Sequence, residues 1–115
     1  MDGHKAVRLR IWVPLLAAAL LCPLPAAAAC LLPAPPSRIP DGTSATEQEM
    51  VAAMRTLKQY NDDVDEYTKC LQFEQRTNRM TFSEQEMHRD VALNKLATVA
   101  ELFNEQVRRF KARHS

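Results

Sequence analysis

From Thr46 onward the chain repeats apolar residues with a helical period. Met50, Ala53, Leu57, Tyr60, Val64, Tyr67 and Leu71 follow one another at spacings of 3, 4, 3, 4, 3 and 4, the stripe by which one helix packs along another. Met54 widens that stripe. Thr46-Glu47-Gln48-Glu49 has the Thr-x-x-Glu form of a capping box, and no Gly or Pro interrupts Glu47 to Arg76, so the pattern predicts a helix over about 46–77. Asn78 is placed to take the left-handed conformation beyond its end.

A second stripe, Leu93, Leu96, Ala100, Phe103, Val107 and Phe110, is spaced 3, 4, 3, 4 and 3. Ser83-Glu84-Gln85-Glu86 offers another capping box, with Phe82 and Met87 as its hydrophobic staple, which predicts a helix over about 83–112. The connection near 78–82 is short enough to force the two helices antiparallel. Facing residues would then have numbers summing to roughly 160, with Arg108, Arg109 and Lys111 near Glu47 and Glu49, and Lys95 near Asp62 and Asp65. The fold class is all-α: an antiparallel two-helix hairpin. Two helices bury only one stripe each, so such a hairpin needs reinforcement, either from the rest of the chain or from dimerisation into a four-helix bundle.

The N-terminal part is patterned differently. Residues 11–37 contain no charged side chain and six of the seven prolines. Lys5, Arg8 and Arg10 precede the apolar run Ile11 to Leu21, and Cys22-Pro23-Leu24-Pro25 leads into Ala26 to Ala29. That order is the signature of a secretory signal peptide over residues 1–29, with the small residues Ala27 and Ala29 filling the peptidase subsites. Two alternatives remain: an uncleaved signal anchor, and a lipoprotein carrying its lipid on Cys30. All three readings export the remainder, to the periplasm or beyond. Apart from that leader or a lipid on Cys30, nothing in the sequence calls for a membrane.

Removing the leader changes the arithmetic. The chain of 115 residues has formal charge +1 and three cysteines, whereas residues 30–115 carry 12 basic and 13 acidic residues and retain Cys30 and Cys70. An even pair in an oxidising compartment predicts a disulfide. Length supports it: the Pro-rich segment Cys30 to Thr43, extended, spans ~40 Å, and a helix from Thr46 to Cys70 spans ~36 Å. Residues 30–45 are therefore expected to fold back as a strap along the first helix, after a turn at Asp41-Gly42. An intermolecular disulfide, a lipid on Cys30 and a redox couple are the competing uses of the pair.

Chemistry-bearing constellations are sparse. Asp62, Asp65 and Glu66 share a helix face but lack the glycine turn and distal Glu of a calcium loop, and read as a solvated face. The basic run Arg108 to His114 suits the negative end of a helix, and predicts no nucleic-acid partner. His88 and His114 lack further ligands at zinc spacing. No Gly-x-Ser-x-Gly elbow is present, and with two glycines in the chain no phosphate-cradling loop can be built. The sequence accordingly predicts no catalytic residues, no metal and no cofactor. Tyr60 and Tyr67 read either as core residues or as the walls of a ligand groove.

Cys30 with its following prolines, Ile39-Pro40-Asp41-Gly42, Glu49-Met50, Lys58-Gln59-Tyr60, Glu66-Tyr67-Thr68-Lys69-Cys70-Leu71 and Phe103-Asn104-Glu105-Gln106-Val107 carry a resemblance. The chain resembles a family of small exported proteins of unknown function in Gram-negative bacteria, over nearly all of residues 30–110. The resemblance implies that the cysteine pair, the Ile-Pro-Asp-Gly turn and the Phe-Asn-Glu-Gln-Val helix belong to one architecture, with Cys at the mature start. The expected function is that of a structural or protein-interaction module, with Met50, Met54, Tyr60 and Tyr67 as interaction residues. The alternative is a periplasmic stress or chaperone-like binder using Met50, Met54, Met80 and Met87 as adaptable apolar surface.

Overall fold

The computed structural model of the chain describes Gly3 and residues 30–115. The leader expected over residues 1–29, with Ala27 and Ala29, lies outside the described residues. Two helices, α1 (Glu47–Arg76) and α2 (Phe82–His114), pack against each other. They run antiparallel, because Met50 near the start of α1 clusters with Phe103 late in α2, whereas Leu71 late in α1 clusters with Ala92.

The ends of α1 follow from its sequence. The Thr46 hydroxyl accepts the Glu49 amide at 3.2 Å, and the Glu49 carboxylate accepts the Thr46 amide at 2.7 Å, so two otherwise unpaired donors are satisfied reciprocally. At the other end Asn78 adopts φ 58°. Its amide donates to the Gln75 carbonyl and that of Arg79 to the Glu74 carbonyl at 2.9 Å, which together make a Schellman stop.

The start of α2 corrects the sequence expectation. Thr81, not Ser83, is the cap: its hydroxyl accepts the Glu84 amide at 3.1 Å while the Glu84 carboxylate accepts the Thr81 amide at 2.8 Å. Ser83 lies inside the first turn. Phe82 and Met87 do not form a buried staple, since both are exposed. Met80, the residue before the true cap, packs on the core instead.

The α1 stripe is buried as its spacing predicts, with Tyr60, Val64, Tyr67 and Leu71 forming one cluster and Met50 another. Glu74 extends it by one more position, buried and paired with Arg79 at 3.4 Å. On α2 the buried and half-buried line runs through Gln85, Arg89, Ala92, Leu96, Val99, Phe103, Gln106 and Phe110. The predicted stripe joins it only from Leu96 on; Leu93 is 42% exposed while Ala92 is fully buried. Small Ala92 allows the helices to approach beside Val64 and Tyr67, a place where leucine would not fit without displacing them.

The predicted cross-helix charge pairs do not form. Among the described residues the ion pairs are local: Lys69 with Asp65 and Glu66, Arg109 with Glu105, Arg79 with Glu74 and Arg89 with Asp90. Arg109 bonds Glu105 on its own helix, Glu47 and Lys111 stand across an open groove, and the nearby Arg113 turns its guanidinium to the carbonyls of Thr43 and Ala45.

Cys30 and Cys70 are joined, with Sγ–Sγ 2.02 Å and Cα–Cα 5.7 Å. The strap leaves this bond and reaches the free end of the hairpin, where Ile39 packs with Ala45, Met50 and Phe103. From the level of Met50 and Ala53 to Cys70, α1 rises ~26–30 Å. Nine residues cover that distance at about 3 Å each, the rise of a polyproline or strand conformation. The disulfide closes a loop with a sequence separation of 40, and the chain-entropy model assigns such a closure about 4 kcal/mol.

Candidate functional site

The free end of the hairpin is built around the turn that joins strap to α1. The Asp41 carboxylate accepts the Thr43 amide at 2.9 Å and its hydroxyl at 2.7 Å, and the Asp41 carbonyl accepts the amides of Ser44 and Ala45. These hydrogen bonds from Thr43, aided by the nearby Arg109 and Arg113, hold the Asp41 carboxyl below the usual carboxylate range. The Gly42 amide donates to Gln106 Oε1 at 2.9 Å. A Cβ on Gly42 would lie 1.9 Å from the Gln106 carbonyl oxygen and 2.9 Å from the Phe110 nitrogen, so glycine is needed here for backbone-on-backbone approach, not for its φ. Arg113 completes the clamp by donating to the carbonyls of Thr43 and Ala45 while its guanidinium sits 5.3 Å from the Phe110 ring centroid. The Ile39-Pro40-Asp41-Gly42 and Phe103-to-Val107 segments thus meet in space.

On the other side of the same end lies an open groove of about 200 Å³. Its walls are Met50, Val51, Met54, Phe103, Val107 and Phe110, with Glu47 and Lys111 on opposite rims. Met50 forms part of the floor and is only 7% exposed, whereas Met54 stands 53% exposed. This is where the structure brings two of the four predicted interaction residues together.

The other two, Tyr60 and Tyr67, are elsewhere. Both are core residues beneath the strap, and burial pushes their phenols up from the ordinary value. Ala34 and Pro36 share a cleft of about 220 Å³ with Thr56, Gln59, Tyr60 and Asp63 of α1. Pro35 faces α2 across a cleft lined by Asn94, Lys95, Thr98 and Val99. The strap therefore straddles the two helices. Tyr60 is 3% exposed, and its hydroxyl, though buried, meets no hydrogen-bond partner. Met80 and Met87 lie toward the hairpin loop, a helix length from Met50 and Met54, so the four methionines do not make one surface.

The acidic face offers no open cation site. Lys69 bonds Asp65 at 2.8 Å and Glu66 at 3.1 Å, and these two carboxylates push its ammonium up to about 12. Among the described residues no cluster of three or more His, Cys, Asp or Glu could hold a metal ion, and no helix is long and apolar enough to cross a membrane. His114 stacks on Phe110 at 4.2 Å between ring centroids, and its Nδ1 lies 2.9 Å from the Phe110 carbonyl. The Cys30 sulfur is committed to Cys70, and a thioether lipid would require that bond to be absent. Comparison with known protein families, with curated proteins and with solved structures returns no match to this chain.

Sequence reasoning missed Gln106 and Arg113, whose partners are strap backbone atoms that no side-chain pattern encodes. Gly42 was a usable signal. In a chain with two glycines, one placed before a long helix marks either a turn or a close approach, and only the second explains its contacts.

Proposed function

We propose that the chain is an exported, disulfide-clamped helical hairpin that acts as a protein-interaction module through the apolar groove at its free end. The observation that carries this reading is the groove itself: Met54, Val51, Val107 and Phe110 around a buried Met50 and Phe103. Methionine side chains adapt to varied apolar surfaces, and a groove of this kind takes the apolar edge of a helix or an extended segment. The disulfide fits a non-reducing compartment, and the basic, apolar and alanine-rich order of residues 1–29 favours the periplasm as that compartment. The resemblance to small exported proteins of Gram-negative bacteria agrees with this location.

The test is photocrosslinking in the periplasm from a reactive residue placed at Met54, with the same residue at Glu66 as control. One dominant partner captured from position 54 and not from 66 supports the reading; identical capture from both positions, or none, refutes it. Sedimentation of the purified protein asks whether the partner is a second copy. A chaperone-like role is the second reading, favoured by the exposed Phe73, Phe82, Met87 and Leu93 spread over both helices. It requires the protein to delay aggregation of an unfolded client at near-stoichiometric ratio, which a module with one partner does not do.

A further inference from the structure

The interhelical groove beneath the strap is a second place where an apolar segment is held, and its present occupant states its chemistry. Leu31 to Pro40 lies there extended, and carries Pro33, Pro35, Pro36 and Pro40. The segment is fixed at both ends: by the Cys30–Cys70 bond at one, and at the other by Gly42 on Gln106 and Arg113 on the turn carbonyls. Cys30 and Ile39, at or beside those ends, pack on the two core clusters, and between them Ala34, Pro35 and Pro36 line clefts shared with α1 and α2. A chain pinned at both ends cannot slide to improve its register. The Tyr60 hydroxyl records this, since it is buried without a partner although Tyr60 shares a cleft with Ala34 and Pro36 of the strap. Polyproline segments leave their carbonyls free of internal hydrogen bonds, and a hydroxyl donor on an aromatic wall is the means by which grooves of this type engage them.

We propose that this groove is a binding site for extended proline-rich segments, occupied in cis by the strap and opened to a segment in trans when the Cys30–Cys70 disulfide is reduced. Opening is a thiol–disulfide exchange with a dithiol. Its first thiolate attacks one sulfur of the pair, its second resolves the mixed disulfide, and the products are two free cysteine thiols and the oxidised reagent. A free segment then adjusts its register until one of its carbonyls accepts the Tyr60 hydroxyl, which the tethered strap does not supply. The proposal deepens the interaction-module reading but rests on a different surface from the Met54 groove. Failure here leaves crosslinking at Met54 untouched, and the reverse holds as well.

The probe is a fluorescent synthetic peptide with the sequence of residues 31–40, and the readout is polarisation with the full chain, oxidised or reduced by dithiothreitol. The oxidised chain is expected to show no saturable binding, and the reduced chain to bind at least tenfold more tightly than the oxidised one. A chain carrying Pro35→Asp and Pro36→Asp should bind more tightly still when reduced, because its own strap competes less. In the reduced chain Tyr60→Phe should weaken the peptide about fivefold, the effect of one lost hydrogen bond. If reduction costs helicity, measured by circular dichroism at 222 nm, adding the peptide must restore it saturably. Equal binding by oxidised and reduced chains, equal binding by Tyr60→Phe and the parent, or lost helicity that the peptide does not restore would each overturn the proposal.

Discussion

Replacing Gly42 by alanine should destabilise the hairpin strongly, against the usual direction of that substitution. Where φ is negative, as it is at Gly42, Gly→Ala ordinarily stabilises by about 0.4–1 kcal/mol through the unfolded chain. Here the added methyl would lie 1.9 Å from the Gln106 carbonyl oxygen, 2.8 Å from its carbon and 2.9 Å from the Phe110 nitrogen. All three are backbone atoms of a helix, so no side chain can swing away. The turn must lift, straining packing by about 1–3 kcal/mol and breaking the Gly42–Gln106 hydrogen bond for about 1 more. A net loss of ~2 kcal/mol, once the unfolded-chain gain is subtracted, lowers the melting temperature of a domain this size by ~8–16 °C. Thermal unfolding followed at 222 nm measures it, with Gln106→Ala as the control that removes the hydrogen bond but not the space, costing ~1 kcal/mol. A Gly42→Ala chain melting within ~2 °C of the parent would refute the close approach of strap and helix, since the smallest strain considered already predicts more.

Other substitutions test the remaining joints. Reduction of Cys30–Cys70, or Cys70→Ser, should lower the unfolding free energy measured in urea by up to ~4 kcal/mol, and an unchanged value would remove the strap from the fold. Thr81→Ala should cost ~1 kcal/mol in the same assay and Ser83→Ala close to nothing; the opposite order would return the cap to Ser83. In the oxidised chain Tyr60→Phe should raise stability by ~1 kcal/mol by removing a buried hydroxyl that has no partner, and a fall of that size would show the hydroxyl to be bonded.

Much of this architecture is written in side-chain pattern. Most of α1, from the Thr46 cap to the left-handed Asn78, is legible because its buried positions as far as Leu71 are apolar and its ends carry capping residues; buried Glu74 is the exception. The disulfide was legible from an even cysteine pair behind an export signature, with chain length in support, since an extended strap and a helix of known rise end together. The start of α2 was not, for a specific reason: Gln85 and Arg89 occupy its inward positions while Phe82, Met87 and Leu93 point outward, so local hydrophobicity indicates the wrong face. Two overlapping Thr/Ser-x-x-Glu frames, at Thr81 and Ser83, fit the capping rule equally; the Schellman stop at Asn78 and the burial of Met80 decide between them. The groove was legible through Met50 and Met54 but not through Tyr60 and Tyr67, because a seam position looks the same whether its cover is a helix, a strap or a ligand.

The bond between Cys30 and Cys70 makes residues 30–70 a covalent ring that contains the strap and most of α1, with α2 attached as a tail. Pulled between Cys30 and Ser115, the protein can yield only the contour of residues 71–115, ~155 Å, rather than the ~300 Å of an uncrosslinked chain. Force applied to the molecule therefore peels α2 away and leaves the ring shut. In the oxidised protein the helix released first is the one that carries the Gly42 and Arg113 contacts, and the last structure to remain is a loop of fixed circumference.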